Sequence, residues 1–188
     1  TISKLPKSFE LGNIVHSILE EYYKNKNSNI DEIFLKYKSS NPFLILDLEV
    51  FKHNIKKLLE DDKKRLETRE IVEIEKKFSV NFNEFELIGV IDRVDKFEDN
   101  YELIDYKTSR SLKIDTINTY SKSCDFQLEF YFLAIKNLYK TTNIKAFYYD
   151  IFENSLKQEV VLNEKLELLQ NIFDDLKNQS KSKIDFCK

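Results

Sequence analysis

The stretch GVIDRVD, residues 89–95, decides the fold of this chain together with the stretch IDYKT, residues 104–108. Both lie in runs rich in β-branched, aromatic and aliphatic residues, and a turn-forming Glu-Asp-Asn cluster at residues 98–100 separates the two runs. Such a pattern is typical of a β-hairpin with strands over residues 87–97 and 101–108. The hairpin brings the aspartates of the first stretch beside the aspartate and lysine of the second.

The register of this hairpin determines which polar groups meet. We expect Phe97 to pair with Tyr101. Asp92 then lies within one position of Asp105 and of Lys107. Because side chains alternate along a strand, Asp105 and Lys107 share one face, and a small register adjustment brings Asp92 onto it.

Carboxylates in strand interiors are unfavourable unless another group compensates their charge. A divalent cation with hard oxygen ligands, Mg²⁺ or Mn²⁺, compensates Asp92 and Asp105 together. Such an ion polarises a phosphate and acidifies a bound water, and Lys107 would position that water or neutralise developing charge. The same residues also fit a salt-bridged cluster around Lys107 that has neither metal nor catalytic activity. Spacing alone leaves both interpretations open.

The two stretches resemble motifs II and III of the RecB-type branch of the PD-(D/E)XK nuclease superfamily. LGNIVHSILE, residues 11–20, resembles that branch's first motif, a helix whose histidine, here His16, helps to bind the metal. QLEFY resembles its last motif, in which Gln127 and Tyr131 stand one helical turn apart. The four motifs occur in the family's order and span residues 11–131.

This resemblance implies a fold and a set of site residues. The fold is an α/β, restriction-endonuclease-like core with a central mixed β-sheet flanked by helices and an N-terminal helical region. The implied metal ligands for Mg²⁺ or Mn²⁺ are His16, Asp92, Asp105 and the carbonyl group of Tyr106. Asp92 and Asp105 also belong to the implied catalytic set, with Lys107 as the catalytic lysine.

Other residues have a less direct expected role. Gln127 and Tyr131 are expected to support the lysine or to contact DNA. Arg93 and Arg110, two of the four arginines, lie beside the acidic residues in the sequence. Their planar guanidinium groups are suited to contact with DNA phosphates. The residues alone allow plainer interpretations. His16, at the edge of an apolar helical stripe, fits a partly exposed core residue, and the Gln127 helix fits an ordinary amphipathic helix.

Composition limits the class of protein. The 188 residues, 41% of them hydrophobic and 13% aromatic, are enough for one good core, so we expect residues 1–188 to form a single domain. No apolar run reaches the length of a membrane span and no signal peptide is visible, which predicts a cytoplasmic protein without a membrane partner. With a net charge of −3, attraction to DNA has to be local.

Cysteines are few. Cys124 and Cys187 are insufficient for a disulfide framework or a structural zinc site. Some RecB-type nucleases hold an iron-sulfur cluster with cysteines that follow the last motif. Only Cys187 follows the last motif here, so an iron-sulfur cluster is not supported within residues 1–188.

The remaining patterns predict the order of secondary structure. The predicted helices cover residues 11–24, 30–37, 43–69 (opened by Asn41-Pro42) and 125–139, the last with Phe126, Phe130, Leu133, Ala134 and Leu138 in the core. The further predicted strands cover residues 72–82, 144–152 and 156–162. A polar, mobile connection is expected over residues 109–123, and a final amphipathic helix is expected to be capped by Asn163.

The expected function is that of a metal-dependent deoxyribonuclease, an exonuclease in DNA recombination and repair. The chain opens at Thr1 and has no methionine, so we expect the excised C-terminal nuclease domain of a helicase-nuclease, with DNA and a helicase region as partners. Three alternatives are a catalytically inactive DNA-guiding or scaffold module, a CRISPR-associated exonuclease, and a charge-cluster protein unrelated to nucleic acid. Degenerate relatives usually lose the lysine or an acid, and this chain keeps them.

Overall fold

The computed structural model describes residues 8–25, 28–37 and 39–185. The helices are α1 (Ser8–Lys24), α2 (Ile30–Lys36), α3 (Pro42–Arg65), α4 (Gln127–Tyr139) and α5 (Leu162–Asp185). The strands are β1 (Glu70–Phe82), β2 (Phe85–Phe97), β3 (Asn100–Lys107), β4 (Ile144–Asp150) and β5 (Ser155–Gln158). One 3₁₀ turn, Tyr120–Lys122, lies in the connection between β3 and α4.

The strands form one mixed sheet in the described part of the chain, in the order β1-β2-β3-β4-β5. The first three strands are an antiparallel meander, β4 runs parallel to β3, and β5 returns antiparallel to β4. Because parallel neighbours need a crossover connection, α4 crosses between β3 and β4. The predicted α/β, restriction-endonuclease-like core with a mixed sheet, flanking helices and an N-terminal helical region is confirmed.

Two apolar clusters lie on opposite faces of the sheet, which we call the front core and the back core. The front core contains Val15, Ile18 and Leu19 of α1, Phe51, Ile55 and Leu58 of α3, and Ile104 and Tyr106 of β3. The back core contains Leu128 and Ile135 of α4, Val94 of β2, Leu103 of β3 and Ala146 of β4. Leu103 and Ile104 are neighbours that enter different cores, as the two-residue alternation of a strand requires.

The helix starts follow the sequence signals. Asn29 caps α2 by accepting from the backbone of Asp31, and Asn41 caps α3 by accepting from the backbone of Phe43. Proline at residue 42 suits the first turn because its missing N–H group has no helical partner there. The predicted Asn-Pro opening of α3 is confirmed.

The end of α3 was predicted four residues too late. The helix stops at Arg65, and both Arg65 and Arg69 turn toward the sheet, where they pair with Glu102 of β3. The charged face of residues 52–69 resembled a fully solvated helix face. Ion pairs with the sheet determine where α3 ends.

The hairpin register also differs from the predicted one by one residue. Phe97 pairs with Asn100, so that a two-residue turn with a left-handed Glu98 (φ 53°) connects β2 to β3. Two-residue connections match the twist of the flanking strands. The shift brings Asp92 into line with Asp105, which is the adjustment that a shared acidic site required.

Three details at the C-terminal side were wrong. The strand predicted over residues 156–162 ends at Gln158, and Asn163 lies inside the first turn of α5, where the backbone N–H of Lys165 already bonds to the carbonyl of Val161. Leu138, which was predicted to lie in the core, is 50% exposed. Because α4 is apolar almost all round, its periodicity fits more than one buried face.

The connection between β3 and α4 is anchored by packing. Leu112 and Ile114 pack against the back core, in the middle of the segment predicted to be a mobile loop. No helix in residues 8–25, 28–37 and 39–185 is both long and apolar enough to cross a bilayer.

A buried ion network joins α3 to the front face of the sheet. The guanidinium of Arg93 is 1% exposed and donates to Asp62 (Nη1 to Oδ2, 2.6 Å) and Asp95 (Nε to Oδ1, 2.6 Å). The same group lies over the ring of Tyr23, 4.6 Å from its centroid. These contacts compensate a charge that is otherwise costly to bury.

Replacing Arg93 by Ala is expected to lower the free energy of unfolding by about 3–5 kcal/mol, because Asp62 and Asp95 would remain buried after losing the guanidinium that bridges them, with Arg65 as their remaining cationic contact. Urea denaturation measures the change. Lys96→Ala, at an exposed position of the same strand, should stay within about 0.5 kcal/mol of the parent. A loss below about 1 kcal/mol for Arg93→Ala would show that the network is not structural.

Candidate active site

The sheet opens where β2 and β3 separate. Their pairing ends at Arg93 and Ile104, and beyond it the backbone N–H of Tyr106 donates to Asp92 Oδ2 at 2.9 Å. A side-chain carboxylate thus replaces the backbone acceptor that a continued ladder would supply. The opening is a cleft of about 1130 Å³. Its lining includes His16, Glu20, Asp47, Glu75, Asp92, Asp105, Tyr106, Lys107, Arg110, Gln127 and Tyr131.

His16 enters the cleft from α1. Val15 precedes His16 and Ile18 follows it by two residues, and both are buried in the front core. His16 therefore lies at the edge of the buried stripe of α1. Its Nε2 lies 2.9 Å from the carbonyl oxygen of Tyr106, and its Nδ1 lies 3.4 Å from Asp92 Oδ1. The structure therefore brings three of the four predicted ligand residues together.

The fourth predicted ligand, Asp105, belongs to a closed ring of side chains at the cleft floor. Lys107 Nζ lies 2.8 Å from Asp105 Oδ2 and donates to Gln127 Oε1 at 2.7 Å. Gln127 Nε2 donates to the hydroxyl of Tyr131 at 2.7 Å, and that hydroxyl donates to Asp105 Oδ1 at 3.4 Å. The spacing of four residues on α4 lets Gln127 and Tyr131 project together.

Glu75 of β1 is a candidate ligand that the sequence interpretation missed. The register that pairs Ile74 with Arg93 and Lys76 with Ile91 puts Glu75 beside Asp92. One ligand atom each from His16, Glu75 and Asp92 lie within 4.8 Å of one another.

A signal for Glu75 was present in the sequence. Lys76 breaks the alternation of apolar and polar residues in β1, and the structure has a register shift between Ile71 and Glu73 and a left-handed Glu75 (φ 49°). Bulges of this kind redirect side chains and occur often beside active sites. A break in alternation next to an acidic residue was therefore informative.

Negative charge is in excess in the cleft. Burial, followed by the charge of Asp92, raises the pKa of Asp105 to about 7, and Lys107 opposes the shift. Burial, followed by the charge of Asp92, also raises the pKa of Glu75 to about 7. Both carboxyl groups resist ionisation because three acids share a small, poorly solvated volume.

Protonation of His16 offsets part of this charge. Burial acts to lower the pKa of His16, but the hydrogen bond and the charge of Asp92 outweigh it, and the pKa rises to about 9. The imidazolium then bonds to the carbonyl oxygen of Tyr106 and approaches Asp92 through its other nitrogen. A metal ion held by these groups would compete with that proton.

The residues fit a divalent cation. Adjacent ligands of an octahedral ion lie roughly 3 Å apart because each metal–oxygen bond is about 2.1 Å, and His16 Nε2 and the carbonyl oxygen of Tyr106 are 2.9 Å apart. Asp105 Oδ2 is buried and has no hydrogen-bond partner among the described residues, although Lys107 is close enough to form an ion pair. Carboxylate and carbonyl oxygens with one imidazole suit Mg²⁺ or Mn²⁺.

The sequence profile of the PD-(D/E)XK nuclease superfamily matches residues 1–186. The chain belongs to this superfamily. Its nucleases typically use divalent metal ions, in agreement with the acidic and histidine cluster described above. A search of the curated proteins finds no match to the chain.

The two arginines expected near DNA have different positions in this PD-(D/E)XK nuclease. Arg93 is buried in the ion network with Asp62 and Asp95, so the expectation that it contacts DNA is wrong. Residue spacing placed it near the acids, but its side chain points to the front core. Arg110 is 80% exposed at the cleft rim, 3.6 Å from Asp47, and its contact with DNA stays a prediction.

Cys124 is not among the residues that line the cleft of the nuclease. Cys124 is exposed and unpaired, in the segment that precedes α4. Cys187 lies outside the described residues.

In the metal-free protein, the pKa of His16 is expected to be about 9. Since this value lies above the ordinary pKa of 6.5, protonated His16 stabilises the fold fully below pH 6.5, and the stabilisation is lost as pH rises through 9. NMR titration of the imidazole measures the pKa, and His53→Gln assigns the signals because the chain has two histidines. Asp92→Asn should lower the value, whereas a parent value at or below 6.5 would contradict the described geometry.

Glu75→Gln is expected to weaken Mn²⁺ binding by about tenfold or more, as loss of a group that ligates or orients ligands typically does. Isothermal titration calorimetry measures the affinity. Glu70→Gln, at an exposed position of the same strand, is the matched control and should bind like the parent. Equal affinities for Glu75→Gln and the control would remove Glu75 from the site.

Proposed function

We propose that this chain is a Mg²⁺- or Mn²⁺-dependent deoxyribonuclease domain that hydrolyses DNA phosphodiester bonds. The observation that carries the proposal is the ring of Asp105, Lys107, Gln127 and Tyr131, which faces the same cleft as the cluster around His16. A ligand set and an oriented ammonium group therefore lie side by side. Metal-assisted phosphodiester hydrolysis can use both, the ion to activate water and the ammonium group to stabilise charge.

The proposed ligands are His16, Asp92, Asp105 and the carbonyl oxygen of Tyr106, with Glu75 as an additional carboxylate beside them. A bound divalent cation supplies polarisation of the phosphodiester and a more acidic water. The single imidazole in the set favours Mn²⁺ over Mg²⁺, because nitrogen ligands suit the transition metal better.

Lys107 is the proposed catalytic lysine. Its ammonium group, held by Asp105 and Gln127, is positioned to orient the attacking water or to stabilise negative charge on the phosphate oxygens. The water oxygen loses a proton to solvent and forms the new bond to phosphorus, while the bond to one ester oxygen breaks and that oxygen leaves with the electron pair and takes a proton from solvent. Tyr131 acts on Lys107 only through Gln127 and Asp105, so its role is to maintain orientation.

The finer assignment rests on the order of the four motifs. We infer a RecB-type exonuclease that works in DNA recombination and repair in the cytoplasm, next to a helicase region of the same protein or complex. Arg110, exposed at the cleft rim, is the proposed contact for the DNA backbone. The complete ring around Lys107 favours catalysis over a purely DNA-guiding scaffold, since a scaffold has no need of an oriented ammonium group.

The test uses end-labelled linear DNA, single- and double-stranded, and closed circular DNA, each with Mg²⁺, Mn²⁺ or EDTA. Cleavage should require a metal ion, and Lys107→Ala should reduce its rate by about 100-fold or more. Lys145→Ala, at an exposed position at the opposite end of the sheet, is the control for a loss of lysine charge. An exonuclease needs a strand end and therefore should not cleave the closed circular DNA.

Two outcomes would contradict the proposal. Equal metal-dependent cleavage by the parent and Lys107→Ala would show that Lys107 is not catalytic. No cleavage with either metal, together with no metal binding by calorimetry, would favour the scaffold function.

A further inference from the structure

We propose that Lys165 is a positioning residue for the Lys107–Gln127 pair. Lys165 lies in the first turn of α5, outside the cleft, and its side chain is 1% exposed. The inference rests on the proposed function, because it concerns how Lys107 is kept in its catalytic orientation.

Lys165 makes contacts with three separate segments. Its Nζ lies 3.3 Å from Glu129 Oε1 on α4, 3.2 Å from Glu159 Oε2 after β5, and 3.7 Å from Asp115 Oδ2 in the connection between β3 and α4. It also lies 5.8 Å from the ring centroid of Phe126. One buried ammonium therefore joins α4, α5 and the segment that leaves Lys107.

The contacts of Lys165 lie on both sides of Gln127 in the sequence. Phe126 directly precedes Gln127, and Glu129 follows it by two residues. Phe126, at the N-cap position of α4, makes no side-chain cap bond, and Asp125 accepts the backbone N–H of Gln127 at 3.0 Å instead. The rotation of the first turn of α4, which aims Gln127 at Lys107, therefore depends on what holds Phe126 and Glu129.

Glu129 depends on Lys165 for its charge partner. Its side chain is fully buried, and neither carboxylate oxygen has a hydrogen-bond partner among the described residues. Burial raises the pKa of Glu129 to about 7, and the charge of Lys165 opposes the shift. Without the ammonium, Glu129 would have to take a proton or turn toward water, and either change disturbs the first turn of α4.

The segment between β3 and α4 is a second link between Lys165 and the ring that contains Lys107 and Gln127. It begins after Lys107 and ends at Gln127, and the side chains of these two residues bond to each other. Asp115 pairs with Lys165 in the middle of that segment. Lys165 thus holds both the segment between the two ring residues and the helix that carries one of them.

A double-mutant cycle tests this role. Lys165→Met keeps much of the side-chain volume but removes the charge, and kcat should fall about tenfold with KM nearly unchanged. In a Gln127→Ala background the same substitution should have no further effect, because Lys165 acts through Gln127. Arg69→Met, which removes the ion pair with Glu102 on the front side of the sheet, controls for a general loss of stability.

Two further measurements keep the test decisive. If Lys165→Met does not fold, Glu129→Gln replaces it in the cycle and should cause a smaller loss in the same direction. In the metal-free protein, the side-chain amide resonances of Gln127 should shift in Lys165→Met and stay in place in Arg69→Met. This NMR comparison decides the role of Lys165 even if the parent has no nuclease activity.

The proposal is overturned if kcat falls no more in Lys165→Met than in Arg69→Met. It is also overturned if the losses from Lys165→Met and Gln127→Ala multiply, because a general structural effect adds independently. Unchanged Gln127 resonances would overturn it as well.

Discussion

The bond from the backbone N–H of Tyr106 to the carboxylate of Asp92 is the interaction on which the site depends. Regular pairing of β2 with β3 stops just before it, so the strands separate while the buried N–H keeps an acceptor. The same bond fixes Asp92 and leaves the carbonyl of Tyr106 facing His16. An opened sheet, an oriented carboxylate and a carbonyl group that faces His16 thus have one common cause.

Exposure to an open cavity distinguishes the charges of the site from the other buried charges of the molecule. On the front face, Arg93 pairs with Asp62 and Asp95, and on the back face Lys165 pairs with Glu129, Glu159 and Asp115. Both groups of ions are held by close contacts of opposite charge. In the cleft, carboxylates outnumber the cationic groups, and the pKa values of Asp105 and Glu75 rise to about 7. Carboxyl groups with raised pKa values that face a cleft are typical of functional sites.

Much of the fold and part of the site could be predicted from local patterns. Alternation along a hairpin is sufficient to bring Asp92, Asp105 and Lys107 together, because the strands are adjacent and the turn between them is short. Helical spacing is sufficient to pair Gln127 with Tyr131. These relations depend on residues close in sequence, and the family motifs record the same relations.

Two errors at the site, the role expected of Arg93 and the omission of Glu75, depend on distant contacts. Arg93 stands next to Asp92 in sequence, but the residue after a site residue in a strand points away from it, into the front core. Glu75 reaches the cluster from a third strand, two residues after a register shift. No local period encodes either the partner of Arg93 on α3 or the approach of Lys165 from α5. Side chains that serve the site from outside a motif are therefore invisible to pattern reasoning.

The cleft lies between two cores, which links stability to chemistry. His16 is carried by a helix of the front core, whereas Gln127 and Tyr131 are carried by a helix of the back core. Asp105 and Lys107 lie on the strand between them, and the four-residue ring joins that strand to α4. A displacement of either helix layer changes the distance between ligand set and ammonium group, even when no site residue is altered. Packing on both faces of the sheet therefore sets the geometry that the proposed hydrolysis requires.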